Sequence, residues 1–293
     1  MMKTYKLGDK LPVHDHGYVI LHETMGSDEV IAQSARVSYD YKGTSQDRGL
    51  IRYLMRHRHT SPFEMAEMRF ELKMPIFVAR QWVRHRTANM NEVSARYTQL
   101  PQEMFVPETW ACQSKDNKQG RDDFGASIED EYDALSLIEF SNKAAYADYE
   151  KLLEKDTARE LARGVLPLNT YTKFIWKIDL HNLMHFLSLR LHPHAQKEIR
   201  DYAEAIYQLV KIYYPITAEA FRDYVLESYT LSRMERDLLR ELLAIYMKQH
   251  QYPTLDIANS ALNNADKRFK NQVSGRELKE FKETFLRGLT EDG

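Results

Sequence analysis

The stretch MAEMRFELKM, residues 65–74, alternates without a break: Ala66, Met68, Phe70, Leu72 and Met74 against Glu67, Arg69, Glu71 and Lys73. Successive side chains of an extended strand point to opposite faces, so this run specifies a half-buried strand. TYTKFIWKI, residues 170–178, repeats the pattern with Phe174, Trp176 and Ile178 on one face, and the short apolar run Tyr18-Val19-Ile20-Leu21 reads as a further strand. Helical patterns lie between them. Ser27 or Asp28 is placed to cap a helix over 29–36, and a second covers 46–57 with Leu50, Ile51, Leu54 and Met55 on one face. Pro75 sits where a helix over 76–86 begins. Others are expected over 127–155 and from near His181. The clearest covers 194–214, where Ala195, Ile199, Tyr202, Ile206, Leu209 and Tyr213 step by four and three and Pro215 ends the pattern. Residues 112–125 read as a polar surface loop. After residue 226 the chain turns charged and helical. Strands and helices are interspersed, so the class is mixed α/β or α+β.

Length and charge narrow what such elements serve. The chain has 293 residues, room for one large domain or two small ones with a real apolar core. Its net charge is −2 and its pI about 6.6, a poor match to a dedicated polynucleotide binder, whose footprint is strongly basic. Any basic site must be local. The single cysteine, Cys112, excludes an intramolecular disulfide, a Cys-based zinc site and a CxxC redox pair. A reducing, cytoplasmic location is the expectation. The first twenty residues lack the apolar core of a secretory signal, and no run of about 18 apolar residues is present to span a membrane.

Three segments concentrate directional polar side chains. In QWVRHRTANMNEVSARY, residues 81–97, a helix would set Gln81, Arg84 and His85 on one face, three and four apart. Arg86, Asn89, Asn91, Glu92, Ser94, Arg96 and Tyr97 follow. Guanidinium groups grip phosphate with paired donors, while amides and carboxylates read the polar edge of a base or flavin. The segment therefore points to a phosphorylated, aromatic ligand. The competing reading is a solvated helix end whose basic residues complement the macrodipole. In RHRHTSPFE, residues 56–64, Ser61-Pro62 reads as a turn and His57 and His59 as surface histidines. In residues 162–198, Arg163 stands before a Val-Leu-Pro break. His181 and His185 have the i, i+4 spacing of a zinc pair, but Asn182 occupies the place of the Glu in H-E-x-x-H and no third ligand is evident, so no metal is expected.

Taken together, these segments resemble the flavin-dependent thymidylate synthase family. Its signature is Arg-His-Arg, seven residues, then Ser; here it reads Arg84-His85-Arg86, TANMNEV, Ser94. PIFVARQWVRHR and NEVSARY flank it. ARVSYD (35–40), HTSPFE (59–64), VLPLNTYT (165–172) and LMHFLSLRLHPHAQKEIR (183–200) occur in the family's order, so the similarity covers roughly residues 17–225.

The resemblance implies an α+β catalytic domain with an antiparallel-rich sheet over 1–225, and a helical C-terminal extension of the same domain over 226–293. It implies methylation of dUMP to dTMP, with 5,10-methylenetetrahydrofolate as one-carbon donor, FAD as hydride carrier and NADPH as reductant. It further implies a homotetramer whose sites are shared between subunits. Position by position, Gln81, Trp82, Val83 and Arg84 would meet dUMP, as would Glu92, Val93, Ser94, Ala95 and Arg96, together with Arg163 and Arg190. FAD would meet Ser38, Ser61, Arg84, His85, Arg86 and Glu92, and also Asp179, Leu180, His181 and His185. Arg190, against the uracil, would be the catalytic group and favour ionisation of N3. Where some members carry Asn-Ala-Arg and a later Asn, this chain has Asp179-Leu180-His181 and His185.

The residue inventory accords with this chemistry. Activating uracil C5 by thiolate addition at C6 needs an activated cysteine, and Cys112 has no His or basic residue immediately beside it. Ser94 has no adjacent His-Asp pair to make it a nucleophile and is assigned to binding. No G-x-G-x-x-G follows a strand, so a Rossmann unit is not what holds the flavin. Two other readings make different predictions. A nucleic-acid-binding module using RHRH (56–59) and RHR (84–86) predicts steeply salt-dependent polynucleotide binding. A His-dependent metallohydrolase predicts loss of activity with chelator.

Overall fold

The computed structural model describes residues 5–37, 47–115, 120–122 and 128–249. They belong to two units that divide between Leu226 and Glu227. In the first, β1 (Lys10–Val13) turns through His14, at φ 58°, into β2 (Gly17–Met25). Ser27 Oγ accepts from Val30 N at 3.4 Å and so caps α1 (Asp28–Arg36). The Asp28 carboxylate instead serves a distant helix, described below. Then come α2 (Asp47–Arg56), the single turn α3 (Ser61–Glu64), β3 (Glu67–Pro75), α4 (Ile76–Trp82) and β4 (Asn89–Glu92). A two-residue ladder follows, β5 (Cys112–Gln113) with β6 (Arg121–Asp122), within the stretch expected to be loop throughout. The remainder is α5 (Ile128–Glu154), α6 (Arg159–Ala162), a 3-10 turn at Arg163–Val165, β7 (Tyr171–Asp179), α7 (Leu180–Arg190), α8 (Lys197–Tyr213), α9 (Pro215–Phe221) and a π-helical turn at Arg222–Leu226.

The fold is α+β around one antiparallel sheet of order β1-β2-β3-β7-β4. The two alternating runs pair with each other. Met68 lies opposite Ile178, Phe70 opposite Trp176, Leu72 opposite Phe174 and Met74 opposite Thr172. All four of these β3 side chains are fully buried. Slipping the register by one residue would expose them at about 1.5–3 kcal/mol each, so the pairing is strongly specified. The other face carries charge: Lys177 bonds Glu67 at 3.0 Å, and Lys73 bonds Glu103 at 2.6 Å.

Helices α4, α7 and α8 pack on the apolar face. The stripe Ile199, Tyr202, Ile206 and Leu209 on α8 is fully buried, as the periodicity required. Helix α8 starts later than expected, leaving Ala195 outside it, and Pro215 does more than end it: it opens α9. The amides of Ile216 and Thr217 at that new N-terminus bond Asp28 at 2.7 and 3.0 Å, and Thr217 Oγ1 adds a third bond at 2.6 Å. A smaller apolar cluster under α5 joins Met104, Tyr146, Tyr149 and Ala162.

In the second unit, α10 (Arg233–Gln249) opens on a capping box. Glu235 N donates to Ser232 Oγ at 3.2 Å, and Ser232 N donates to Glu235 Oε2 at 2.8 Å. The helical expectation for ALNNADKRFKN and ELKEFKETF lies outside the described residues. None of the described helices is long and apolar enough to cross a membrane.

Candidate active site

Helix α4 was expected to reach residue 86 but ends at Trp82. Pro75 is its N-cap and not its first residue. Val83 N still reaches Ala79 O at 3.0 Å, but Arg84 N and His85 N bond Gln81 O and Trp82 O, one residue tighter than α-helical spacing. The chain must turn here because β4 has to run back along β7. Gln81, Arg84 and His85 therefore do not share a helix face. Gln81 leaves from the last helical turn, its Nε2 donating to Gln196 Oε1 at 2.5 Å, while Arg84, His85 and Arg86 leave from the turn beyond.

The anchor of that turn is Trp82. It is fully buried, with its ring 4.4 Å from Phe186 and 5.1 Å from Trp176. Its indole is enclosed by these rings, so the expected nucleotide contact of Trp82 would fall to its peptide groups. Leu180 is also fully buried, so its expected flavin contact would likewise be through the backbone.

Behind this anchor His85 and Arg190 meet, although 105 residues apart. Arg190 Nε donates to His85 Nε2 at 3.1 Å. The His85 ring lies edge-on to Phe186 at 4.9 Å and to His185 at 6.2 Å. Burial, then the Arg190 charge, then His185 pull the His85 pKa from its ordinary 6.5 down to about 4. His85 is thus a neutral imidazole, with its proton on Nδ1 and its Nε2 lone pair toward Arg190. Burial also lowers the Arg190 pKa. Helix α7, which carries His181, His185 and Arg190, is launched by Asp179, whose carboxylate accepts from Asn182 N at 2.9 Å and from Asn182 Nδ2 at 2.7 Å. The turn α3, with exposed Ser61, packs on α7.

Strand β4 brings in the second half of the segment. Its register sets Glu92 opposite Phe174, hence on the face of the sheet that carries α4 and α7. Thr172 Oγ1 donates to Glu92 Oε1 at 2.5 Å, and Val93 N to Lys173 O at 2.8 Å. Past the strand, Ser94 Oγ accepts from Arg96 N at 3.3 Å and Ser94 O from Tyr97 N at 3.0 Å, a tight turn that presents Val93, Ser94 and Arg96, with Ala95 tucked inward. Arg96 pairs with Glu160 at 3.1 Å, and Arg163 follows three residues after Glu160. Arg84, Arg86 and Arg163 are exposed and have no side-chain partner among the described residues. Ser38 lies outside the described residues. Sequence reasoning missed Thr172, Gln196, Glu160 and Phe186. The signal for Thr172 was there, since the alternation of β7 puts it on the same face as Phe174.

The arrangement defines a class of site: local guanidinium donors, a carboxylate fixed by a hydroxyl, and one neutral imidazole, His85, set against an arginine, suited to a phosphorylated aromatic ligand. Gln196 also lines an adjoining cavity of about 620 Å³ with Phe77, Phe105, Trp110, Arg121 and Glu198. Cys112 stands apart from the five-stranded sheet, in the β5–β6 ladder opposite Asp122.

Residues 19–216 match the family described as thymidylate synthase complementing protein. A flavin-dependent thymidylate synthase of Thermus thermophilus is 51% identical over 257 residues, covering 87% of this chain and 94% of that protein. One from Wolbachia pipientis is 52% identical over 236 residues, covering 79% and 82%. Among solved structures, a UMP/dUMP methylase from Streptomyces cacaoi bound with 5-Br UMP superposes with a TM-score of 0.67 at 35% identity, covering 74% of this chain and 98% of that one. The chain belongs to the flavin-dependent thymidylate synthase family.

Proposed function

We propose that this chain methylates dUMP at C5 to give dTMP, consuming 5,10-methylenetetrahydrofolate and NADPH and releasing tetrahydrofolate and NADP⁺, with FAD as its cofactor. The observation that carries the reading is the half-buried Arg190 held by neutral His85 beside the Arg84–Arg86 turn. A guanidinium near N3 and C2=O of a uracil stabilises negative charge on the ring and enriches C5 in electrons. Glu92, Ser94 and Arg96 bind the nucleotide beside it, and Arg163 adds a phosphate contact.

The donor set fits a flavin. Among the described residues Arg84 and Arg86 have no side-chain partner, and His181 and His185 present donors one helical turn apart. Ser61 and Asp179 adjoin the same helix. FAD, when bound, supplies the hydride that NADPH replenishes. The residues around it orient the substrates and exclude water.

We read the active form as a homotetramer with shared sites, whose catalytic domain is residues 1–225. Exposed Leu137 and Phe140 on α5 supply apolar surface for assembly.

The test is the visible spectrum of the purified protein after addition of FAD, then anaerobic NADPH with and without dUMP. Flavin bands that bleach faster with dUMP, followed by dTMP formation with methylenetetrahydrofolate, are expected. A protein that neither binds FAD nor oxidises NADPH refutes the reading.

A further inference from the structure

Arg190 ends a long, flexible side chain, yet its chemistry requires a fixed plane. Among the described residues its only side-chain partner is His85, through Nε–H. A guanidinium has five N–H donors, and this bond uses the one that lies along the stem. The four Nη hydrogens have no acceptor among the described residues and form a fork beyond that bond. His85 is itself held on three sides: its backbone N bonds Trp82 O at 3.0 Å, and its ring meets Phe186 and His185.

We propose that His85 is a positioning residue for Arg190: by accepting the Nε–H at Nε2 it fixes the guanidinium plane, so that the Nη fork faces the carbonyl edge of the pyrimidine. The inference rests on the reading that Arg190 meets the uracil. It works only if Nε2 carries a lone pair. The titratable groups facing His85 are Arg190 and His185, both on α7, and both disfavour its protonation. The accepting form is therefore the one present at neutral pH.

The experiment measures N3 ionisation of 5-fluoro-dUMP bound to the FAD-saturated enzyme, read from its ultraviolet band across pH, in the wild type, Arg190→Ala, His85→Ala and His85→Gln. Flavin content and circular dichroism are checked for each variant. The wild type should ionise N3 at a lower pH than the free nucleotide, and Arg190→Ala should abolish that. His85→Ala should return N3 at least half-way to the free value and lower kcat by about 10–100-fold, the scale of a misplaced catalytic group. Its KM for dUMP should change less than about threefold. His85→Gln, whose amide oxygen can accept the same N–H, should retain most of the shift. If Arg190→Ala leaves N3 unmoved, the placement of Arg190 fails and the inference falls with it. If the shift needs Arg190 but survives in His85→Ala, or if extra FAD alone restores kcat in that variant, the positioning role is overturned while the uracil contact stands.

Discussion

Gly17 is the position where one added carbon should do the most damage. A Cβ there would lie 1.9 Å from the Tyr202 hydroxyl, 2.5 Å from Val13 O and 2.9 Å from Lys73 O. The two carbonyls belong to paired strands and cannot yield, and Tyr202 is fully buried with its hydroxyl donating to Lys73 O at 2.7 Å. Gly17→Ala must therefore push Tyr202 out of place. Overpacking costs about 1–3 kcal/mol, and losing the Tyr202 hydrogen bond adds about 0.5–1.5 kcal/mol. The expected total is about 2–4 kcal/mol. In a unit of this size each kcal/mol moves Tm by about 2–4 °C, so a fall of about 4–16 °C should appear in thermal unfolding followed by circular dichroism at fixed protein concentration. Tyr202→Phe in the same background removes the nearest clash. The double variant should then be less destabilised than the sum of the single ones by at least about 1 kcal/mol. A Gly17→Ala protein that melts with the wild type, or strict additivity in the pair, would refute the argument.

Two further outcomes follow from the site. Because the folded His85 titrates near 4 and an unperturbed His near 6.5, the unfolded chain binds a proton between those values that the native state does not. The contribution is fully present above about 6.5 and is lost as pH falls toward 4. Urea midpoints measured at pH 7.5 and 5 should fall less in His85→Gln than in the wild type, and parallel falls would count against the assignment. Thr172→Val removes the 2.5 Å donor that fixes Glu92. A hydrogen bond to a charged group is worth about 1.5–3 kcal/mol, and with part of that reaching the nucleotide the KM for dUMP should rise about 3–10-fold while kcat stays within about twofold. Thr172→Ser should behave as wild type, and an unchanged KM in Thr172→Val would show that Glu92 is held by something else.

Much of the scaffold was legible because its signals are local. The alternations at Met68–Met74 and Phe174–Ile178, and the α8 stripe from Ile199 to Leu209, each declare their buried face within one element. The ends of elements were less legible. Nothing in VRHR marks the termination of α4 at Trp82; it follows from the need of β4 to pair with β7, a demand set eighty residues away. Strand β4 itself was invisible, since all of Asn89–Glu92 is exposed and no alternation survives. The Arg-His-Arg segment was found, but its binding logic was not. The contacts of His85 with Arg190, of Gln81 with Gln196 and of Glu92 with Thr172 join residues 80 to 115 positions apart, which no spacing rule can reach.

Strand β7 touches both halves of the site. Along one side it is laddered to β4, which carries Glu92; from its end, at Asp179, helix α7 departs toward Arg190. Insertions and deletions should therefore be distributed very unevenly along this lineage. The two-residue ladder of β5 with β6 lies outside the five-stranded sheet, so a change of length next to it moves neither half. An indel inside β7 would rotate α7 against β4 and separate Glu92 from Arg190 in a single event. Length change in descendants of this gene should stay out of 171–179.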